Sequence, residues 1–246
     1  MPEIQPLLAQ QSLRYLPGVS HPVLVNPRSP LLRVGFGQAT FDAEGTELPG
    51  RFFSRRASWP GTAASGVTIG RGYDLGSRTQ LQVVRELTMA GVARPEALFL
   101  SAGAGLRGEH ADRFIANRSD RLPILSLESQ QLLFESITTP ETIADIKRIF
   151  SKPDTVAAYG SVRWDALPQA IQELVFDLRY RGDYTPLVRQ TLQPLLAQRD
   201  WDGIKTLMSN REYWSARGVP AARIQARERI VSSLNRESIA GADLAG

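Results

Sequence analysis

Residues 65–77 read Ser-Gly-Val-Thr-Ile-Gly-Arg-Gly-Tyr-Asp-Leu-Gly-Ser. Val67 and Ile69 alternate around Thr68, and glycines stand at 66, 70, 72 and 76. Alternation of period two with glycine punctuation predicts a short strand or tight hairpin whose backbone turns sharply or lies close against something else. Downstream the pattern changes to a helical one. Ser77 or Thr79 can cap the run TQLQVVRELTMA, with Gly91 as its stop. Ser126 opens SLESQQLLFESI, and Thr139-Pro140 reads as a cap followed by proline at the first helical position, leading into ETIADIKRIF. Leu167, Ile171, Leu174, Val175 and Leu178 recur at helical spacing. Further helices are expected over 186–198, 200–209 and 221–235.

Residues 37–76, of which the hairpin is the clearest part, are rich in glycine, serine and arginine. Residues 1–36 carry prolines at 2, 6, 17, 22, 27 and 30 without helical periodicity, which predicts an extended arm. The sequence thus divides into an arm over 1–36, one domain over 37–238 and a flexible tail over 239–246, with no internal repeat. The expected class is α+β, mainly α, with a small β element near the start of the domain and a helical bundle after it.

Composition narrows the chemistry. The 246 residues are 42% hydrophobic and 22% charged, enough for a sizeable core. A formal charge of +4 suits an acidic polymer as partner, and equally suits solubility alone. There is no cysteine, so disulfides and thiolate metal sites are excluded. The two histidines, His21 and His110, sit in no zinc or Ser-His-Asp pattern. No metal or cofactor is expected. The apolar runs are far shorter than the ~20 residues of a membrane helix, so no membrane insertion is expected. The first residues lack a basic segment followed by an apolar stretch and a cleavage site, which predicts a chain made in the cytoplasm without a classical signal peptide.

With thiol and imidazole chemistry set aside, the acids come forward. Phe41-Asp42-Ala43-Glu44-Gly45-Thr46-Glu47 places three carboxyl groups just before the hairpin, and Asp74 lies at its far end. Glycosidic cleavage uses two carboxyl groups flanking the bond, one protonating the leaving oxygen and the other activating water or attacking the sugar. Acids in a polar loop are more often merely solvated, so the pattern alone does not select this chemistry.

Glu44-Gly45, followed after a basic spacer by Ser65 to Gly76, resembles the signature of the pesticin-type muramidases, bacterial toxins and effectors similar to phage lysozyme. Thr68-Ile69-Gly70-Arg71-Gly72 matches the shorter phage-lysozyme core. Trp164-Asp165-Ala166-Leu167 and Asp177-Leu178-Arg179-Tyr180-Arg181-Gly182 resemble that family's helical region, so the likeness spans roughly residues 38–235. The resemblance implies a lysozyme-like domain with Glu44, Thr68 and Asp74 as catalytic group. Glu44 would be the general acid, Asp74 the base or nucleophile, and Thr68 the hydroxyl that orients water or carboxylate. Asp42 and Glu47 remain possible substitutes for Glu44. The spacer RFFSRRASWPGTAA departs from the family pattern.

In the last helix, Ile224, Val231 and Leu234 form an apolar stripe with Arg227 on the same face, and a buried guanidinium needs an anion. The resemblance implies that Arg227, or Arg223 one turn earlier, supports Glu44. Tyr73, Arg71, Tyr180 and Arg181 are candidates to line a sugar cleft. Arg51, Arg55 and Arg56 could touch acidic wall or nucleic acid but read first as a solvated basic loop, and the four tryptophans read as core. The implied activity is hydrolysis of the β-1,4 bond between N-acetylmuramic acid and N-acetylglucosamine by a monomeric antibacterial effector. Delivery to the periplasm of a target bacterium by a secretion system is implied, with a periplasmic immunity protein as partner. A chitinase- or chitosanase-like glycosidase and a non-catalytic wall-binding or phage structural module are the alternatives. No nucleic-acid motif is present.

Overall fold

A computed structural model describes residues 32–50 and 53–234, together with the backbone of two short strands, Leu13–Arg14 and Val23–Leu24. Those strands pair antiparallel, Leu13 opposite Leu24 and Arg14 opposite Val23. The remainder of the expected arm up to residue 31, and the expected tail over 239–246, lie outside the described residues. Helices dominate and one two-stranded hairpin stands near the start of the main body, so the chain is α+β, mainly α. The stretch expected as one domain falls into two compact units, one ending at Thr139 and one beginning at Pro140.

In the first unit Thr68–Ile69 pairs antiparallel with Tyr73–Asp74, Thr68 facing Asp74 and Ile69 facing Tyr73. The connection runs through Gly70 at φ 67° and Gly72 at φ 97°, backbone angles that a β-carbon would strain. On its other edge Thr68 exchanges two 2.8 Å backbone hydrogen bonds with Ser58, so it lies between two extended segments. Strand alternation sends Val67, Ile69, Tyr73 and Leu75 into a core with Val83, Leu87, Leu100 and Phe114. Thr68 and Asp74 are thereby left on the other face.

The helices around that core begin where local chemistry starts them. Thr79 forms a full capping box with Gln82 ahead of Gln80–Met89, and the Ser126 hydroxyl accepts from Ser129 N–H at 3.0 Å ahead of Leu127–Leu133. Thr139 departs from expectation. It is not an extended cap but helical, at φ −66° and ψ −52°, and its N–H reaches back to the Phe134 carbonyl through a π-turn over Phe134–Thr138. Pro140 can donate no hydrogen bond and its ring crowds the preceding turn, and a wider turn with one extra residue lets helical backbone persist into Thr139–Phe150.

The second unit continues through Pro153–Tyr159, Gln169–Arg181, Pro186–Gln198, Trp201–Ser209, Arg211–Ser215 and Ala221–Ser232. Gln169–Arg181 fully buries Ile171, Leu174, Val175, Phe176 and Leu178. The cap-then-proline signal operates at Thr185-Pro186, where the threonine hydroxyl accepts from Val188 N–H at 3.2 Å. Ala221–Ser232 packs on Gln169–Arg181 and on Trp201–Ser209. Among the described residues no helix is long and apolar enough to cross a membrane.

Candidate active site

An open cleft of about 450 Å³ lies in the first unit. One wall is the turn that ends the helix Gln38–Ala43. That helix buries Thr40 and Phe41 and closes at Glu44, whose N–H donates to the Thr40 carbonyl at 3.0 Å. Ala43, Glu44, Gly45 and Thr46 then face the cleft. A β-carbon on Gly45 would collide with the Ser54 hydroxyl and lie 2.7 Å from Arg71 Cδ, so only glycine lets this turn seat so tightly. The Glu-Gly pair therefore has a packing reason as well as a resemblance behind it.

A second part of the lining comes from the spacer, whose Ser54 N–H and hydroxyl both donate to the Thr46 carbonyl of the acidic turn. Ser54, Arg56, Ser58 and Pro60 face the cleft, whereas Arg55, Ala57 and Trp59 turn away. Ser54 and Arg55 lie in a turn closed by the Arg56 N–H, which donates to the Phe53 carbonyl at 3.1 Å, and from Arg56 onward the alternation is that of extended backbone, held by the Arg56–Ile124 and Ser58–Thr68 bridges. Thr68, Gly70 and Gly72 of the hairpin complete the lining. Glu44 and Thr68 are thus brought into one cleft, and four hydroxyl-bearing residues, Thr46, Ser54, Ser58 and Thr68, stand around it.

Arg71 is not the sugar-binding residue expected of it. Its side chain is fully buried and donates from Nη1 to the Phe41 and Gly45 carbonyls, both at 2.9 Å. Nε donates to Gln130 Oε1 at 3.2 Å, Nη2 donates to Glu47 Oε1 at 3.3 Å, and the guanidinium lies over the Phe41 ring. It is a clamp that fixes the acidic turn to the hairpin. Burial pushes its guanidinium below the ordinary arginine value, while Glu47, Asp42 and Glu44 oppose that shift. Glu47 is committed to the same clamp, accepting from Gln130 Nε2 at 2.6 Å and Arg55 Nε at 2.8 Å. That leaves it poorly placed to stand in for Glu44. Asp42 accepts from Gln38 Nε2 at 3.0 Å along its own helix.

Asp74 faces Thr68 across the hairpin, and its carboxylate folds back onto backbone: Oδ1 accepts from Gly76 N–H at 2.6 Å and Oδ2 from Gly66 N–H at 3.3 Å. It caps the single turn Leu75–Ser77. Tyr73, also expected at a sugar, is a core residue with no exposed surface. Its hydroxyl donates to Glu86 Oε2 at 2.8 Å, and the Arg78 guanidinium covers its ring.

The other expected site residues belong to the second unit, whereas the cleft belongs to the first. Tyr180 is half-buried against Phe176, and Arg181 donates to Asp183 and to the Gly218 carbonyl. Arg227 is buried as its apolar neighbours require, with Nε donating to Asp177 Oδ2 at 2.7 Å and Nη2 to Asp183 Oδ2 at 2.5 Å. Arg223 pairs with the same Asp177 at 2.6 Å. The anion that Arg227 needs is supplied within its own unit, so its burial is explained without Glu44.

Ser54 and Ser58 are cleft residues that sequence reasoning missed, and Arg56 was read first as part of a solvated loop. A signal was present in RASWP, where Ala57 and Trp59 are the apolar members of an alternation. It was obscured because three arginines in six residues read as a solvated loop. Arg55 corrects that reading directly, bonding Glu47 and the Leu125 carbonyl. No curated protein matches the chain. A family described as a domain of unknown function (DUF8812) matches residues 37–228, from just before the helix of Glu44 into the helix of Arg227, and the chain belongs to that family.

Proposed function

We propose that this protein is a peptidoglycan hydrolase cleaving the β-1,4 bond between N-acetylmuramic acid and N-acetylglucosamine. The observation that carries the reading is the meeting of Glu44 and Thr68 in one hydroxyl-lined cleft, with Asp74 directly across the hairpin from Thr68. Glu44 delivers a proton to the glycosidic oxygen as the bond breaks. Asp74, whose carboxylate is held by two backbone N–H donors, serves as the basic partner, and the Thr68 hydroxyl orients water between them. The Arg71 clamp keeps the acid on its wall. The same reading makes the protein an antibacterial effector acting in a target cell's periplasm, with an immunity protein as its counterpart.

The test is digestion of isolated sacculi with mass spectrometry of the released fragments. Wild-type protein is expected to release muropeptides with muramic acid at the reducing end, and Glu44→Gln to release about 100-fold less or none, the range for loss of a general acid. Sacculi left intact by the wild type would overturn the reading. Release of N-acetylglucosamine oligomers from chitin alone would replace it with a chitinase.

A further inference from the structure

The cleft has a charge that acid catalysis does not use. Arg56 is exposed, lines the cleft from the spacer, and has no carboxylate partner among the described residues. Its backbone is fixed, donating to the Phe53 carbonyl at 3.1 Å and bridging to Ile124, so the guanidinium is anchored at its root. Neighbouring arginines behave differently. Arg55 and Arg71 are both spent on Glu47. Among the described lining residues Arg56 carries the cation and Glu44 the carboxyl group; the rest are hydroxyl-bearing or small, with Pro60 beside them. A neutral sugar needs only the hydroxyls, whereas an unspent guanidinium there matches a carboxylate on the ligand.

We propose that Arg56 binds a carboxylate of the glycan, so that the cleft selects an acidic aminosugar polymer over a neutral one. This rests on the peptidoglycan reading and specifies its substrate class. The carboxylate has two possible sources, the stem peptide or the lactyl group of peptide-free muramic acid. Arg56 is a specificity residue and takes no part in proton transfer.

Binding separates this proposal from hydrolysis. On the Glu44→Gln background, calorimetry would measure three tetrasaccharides: one bearing stem peptides, one of alternating N-acetylglucosamine and peptide-free N-acetylmuramic acid, and chitotetraose. Adding Arg56→Gln is expected to weaken an acidic tetrasaccharide about tenfold, the order for one charge-assisted hydrogen bond, and to leave chitotetraose unchanged. Arg56→Lys should recover most of the loss, and added salt should weaken acidic binding only when residue 56 is charged. Loss confined to the stem-bearing or to the peptide-free ligand identifies the source. Equal affinity for acidic ligands with and without Arg56, an equal loss for chitotetraose, or no binding of either acidic ligand would overturn the proposal. If the contrast holds while wild-type protein leaves sacculi intact, Arg56 is an anion reader and the hydrolase reading fails. If sacculi are digested without the contrast, the reverse is true.

Discussion

Arg71→Lys tests whether the acidic turn owes its position to the buried clamp. Lysine keeps the charge but replaces a planar fork with a single ammonium, which cannot reach the Phe41 and Gly45 carbonyls, Gln130 and Glu47 together. The two 2.9 Å carbonyl bonds are the ones most exposed to loss. A hydrogen bond from a charged donor contributes about 1.5–3 kcal/mol. The Gly45 carbonyl belongs to a partly exposed turn where water can replace the donor, the Phe41 carbonyl is buried in the helix, and Glu47 keeps Arg55. The expected net cost is therefore about 2–4 kcal/mol, below the simple sum. For a chain of this length that corresponds to a fall in Tm of about 5–15 °C.

Calorimetry would read the total, and amide exchange would locate it. The Glu44 N–H, bonded to Thr40, sits between the two carbonyls that Arg71 holds, so its protection should fall more than that of Val83 in the first-unit core. On the proposed hydrolase reading, activity on sacculi should fall further than the loss of folded protein explains, because a displaced Glu44 would miss the glycosidic oxygen. A variant that melts within 1 °C of the wild type with unchanged Glu44 protection would refute the clamp.

In the second unit, Asp177→Asn would leave Arg223 and Arg227 facing an amide in place of their shared carboxylate, with an expected cost of about 3–5 kcal/mol in urea unfolding. A loss under 1 kcal/mol would show that Asp183 alone can neutralise Arg227. Burial raises the Tyr184 phenol well above its ordinary value, partly opposed by Arg189. The unfolded chain therefore ionises this group from about pH 10 while the folded chain retains the proton, and stability falls as pH rises, by up to ~1.4 kcal/mol per pH unit. Tyr184→Phe should lose this part of the alkaline slope, although it also loses the hydrogen bond to Gln193 at neutral pH. Parallel stability curves for the two proteins above pH 10 would refute the assignment.

The sequence was most legible where structure is local. The glycines of residues 66–76 announce a hairpin because backbone angles and close approach permit little else, and the Thr79 and Ser126 caps are read directly from hydroxyls ahead of helical runs. Thr139-Pro140 misleads because proline after threonine fits either a helix start or a helix that widens to continue, and only the preceding turn distinguishes them. Arginines were the least legible residues. Arg71, Arg55 and Arg56 lie within 17 positions of one another, yet one is a buried clamp, one a half-buried strut and one a cleft wall. Side-chain chemistry is identical in all three, and the difference lies in which carboxylates and carbonyls the fold brings near. Arg227 shows the same limit: apolar neighbours forecast its burial, but tertiary packing chose Asp177 and Asp183 as its partners.

That distinction bears on which member of the proposed catalytic group carries the most information. Thr68 and Asp74 lie in the densest motif, but its density has a structural cause of its own. Gly70 and Gly72 are required by the turn, Val67 and Ile69 by the core, and Asp74 by the two N–H groups it caps. A hairpin of this kind would keep that pattern even without a substrate. Loss of activity on changing Asp74 therefore has meaning only beside an unchanged melting temperature. Thr68 is cleaner, since among the described residues its hydroxyl bonds no group beyond the Gly66 carbonyl, at 3.3 Å, and its backbone pairing survives any side chain suited to a strand. Glu44 needs the same control as Asp74. The turn depends on Gly45 behind it and on Arg71 beneath it, and both act through backbone or through glycine's missing side chain, but the Glu44 carboxyl also acts electrostatically on the Arg71 guanidinium. Activity lost in Glu44→Gln is therefore assigned to the carboxyl's chemistry where the melting temperature and the protection of the Glu44 N–H stay unchanged.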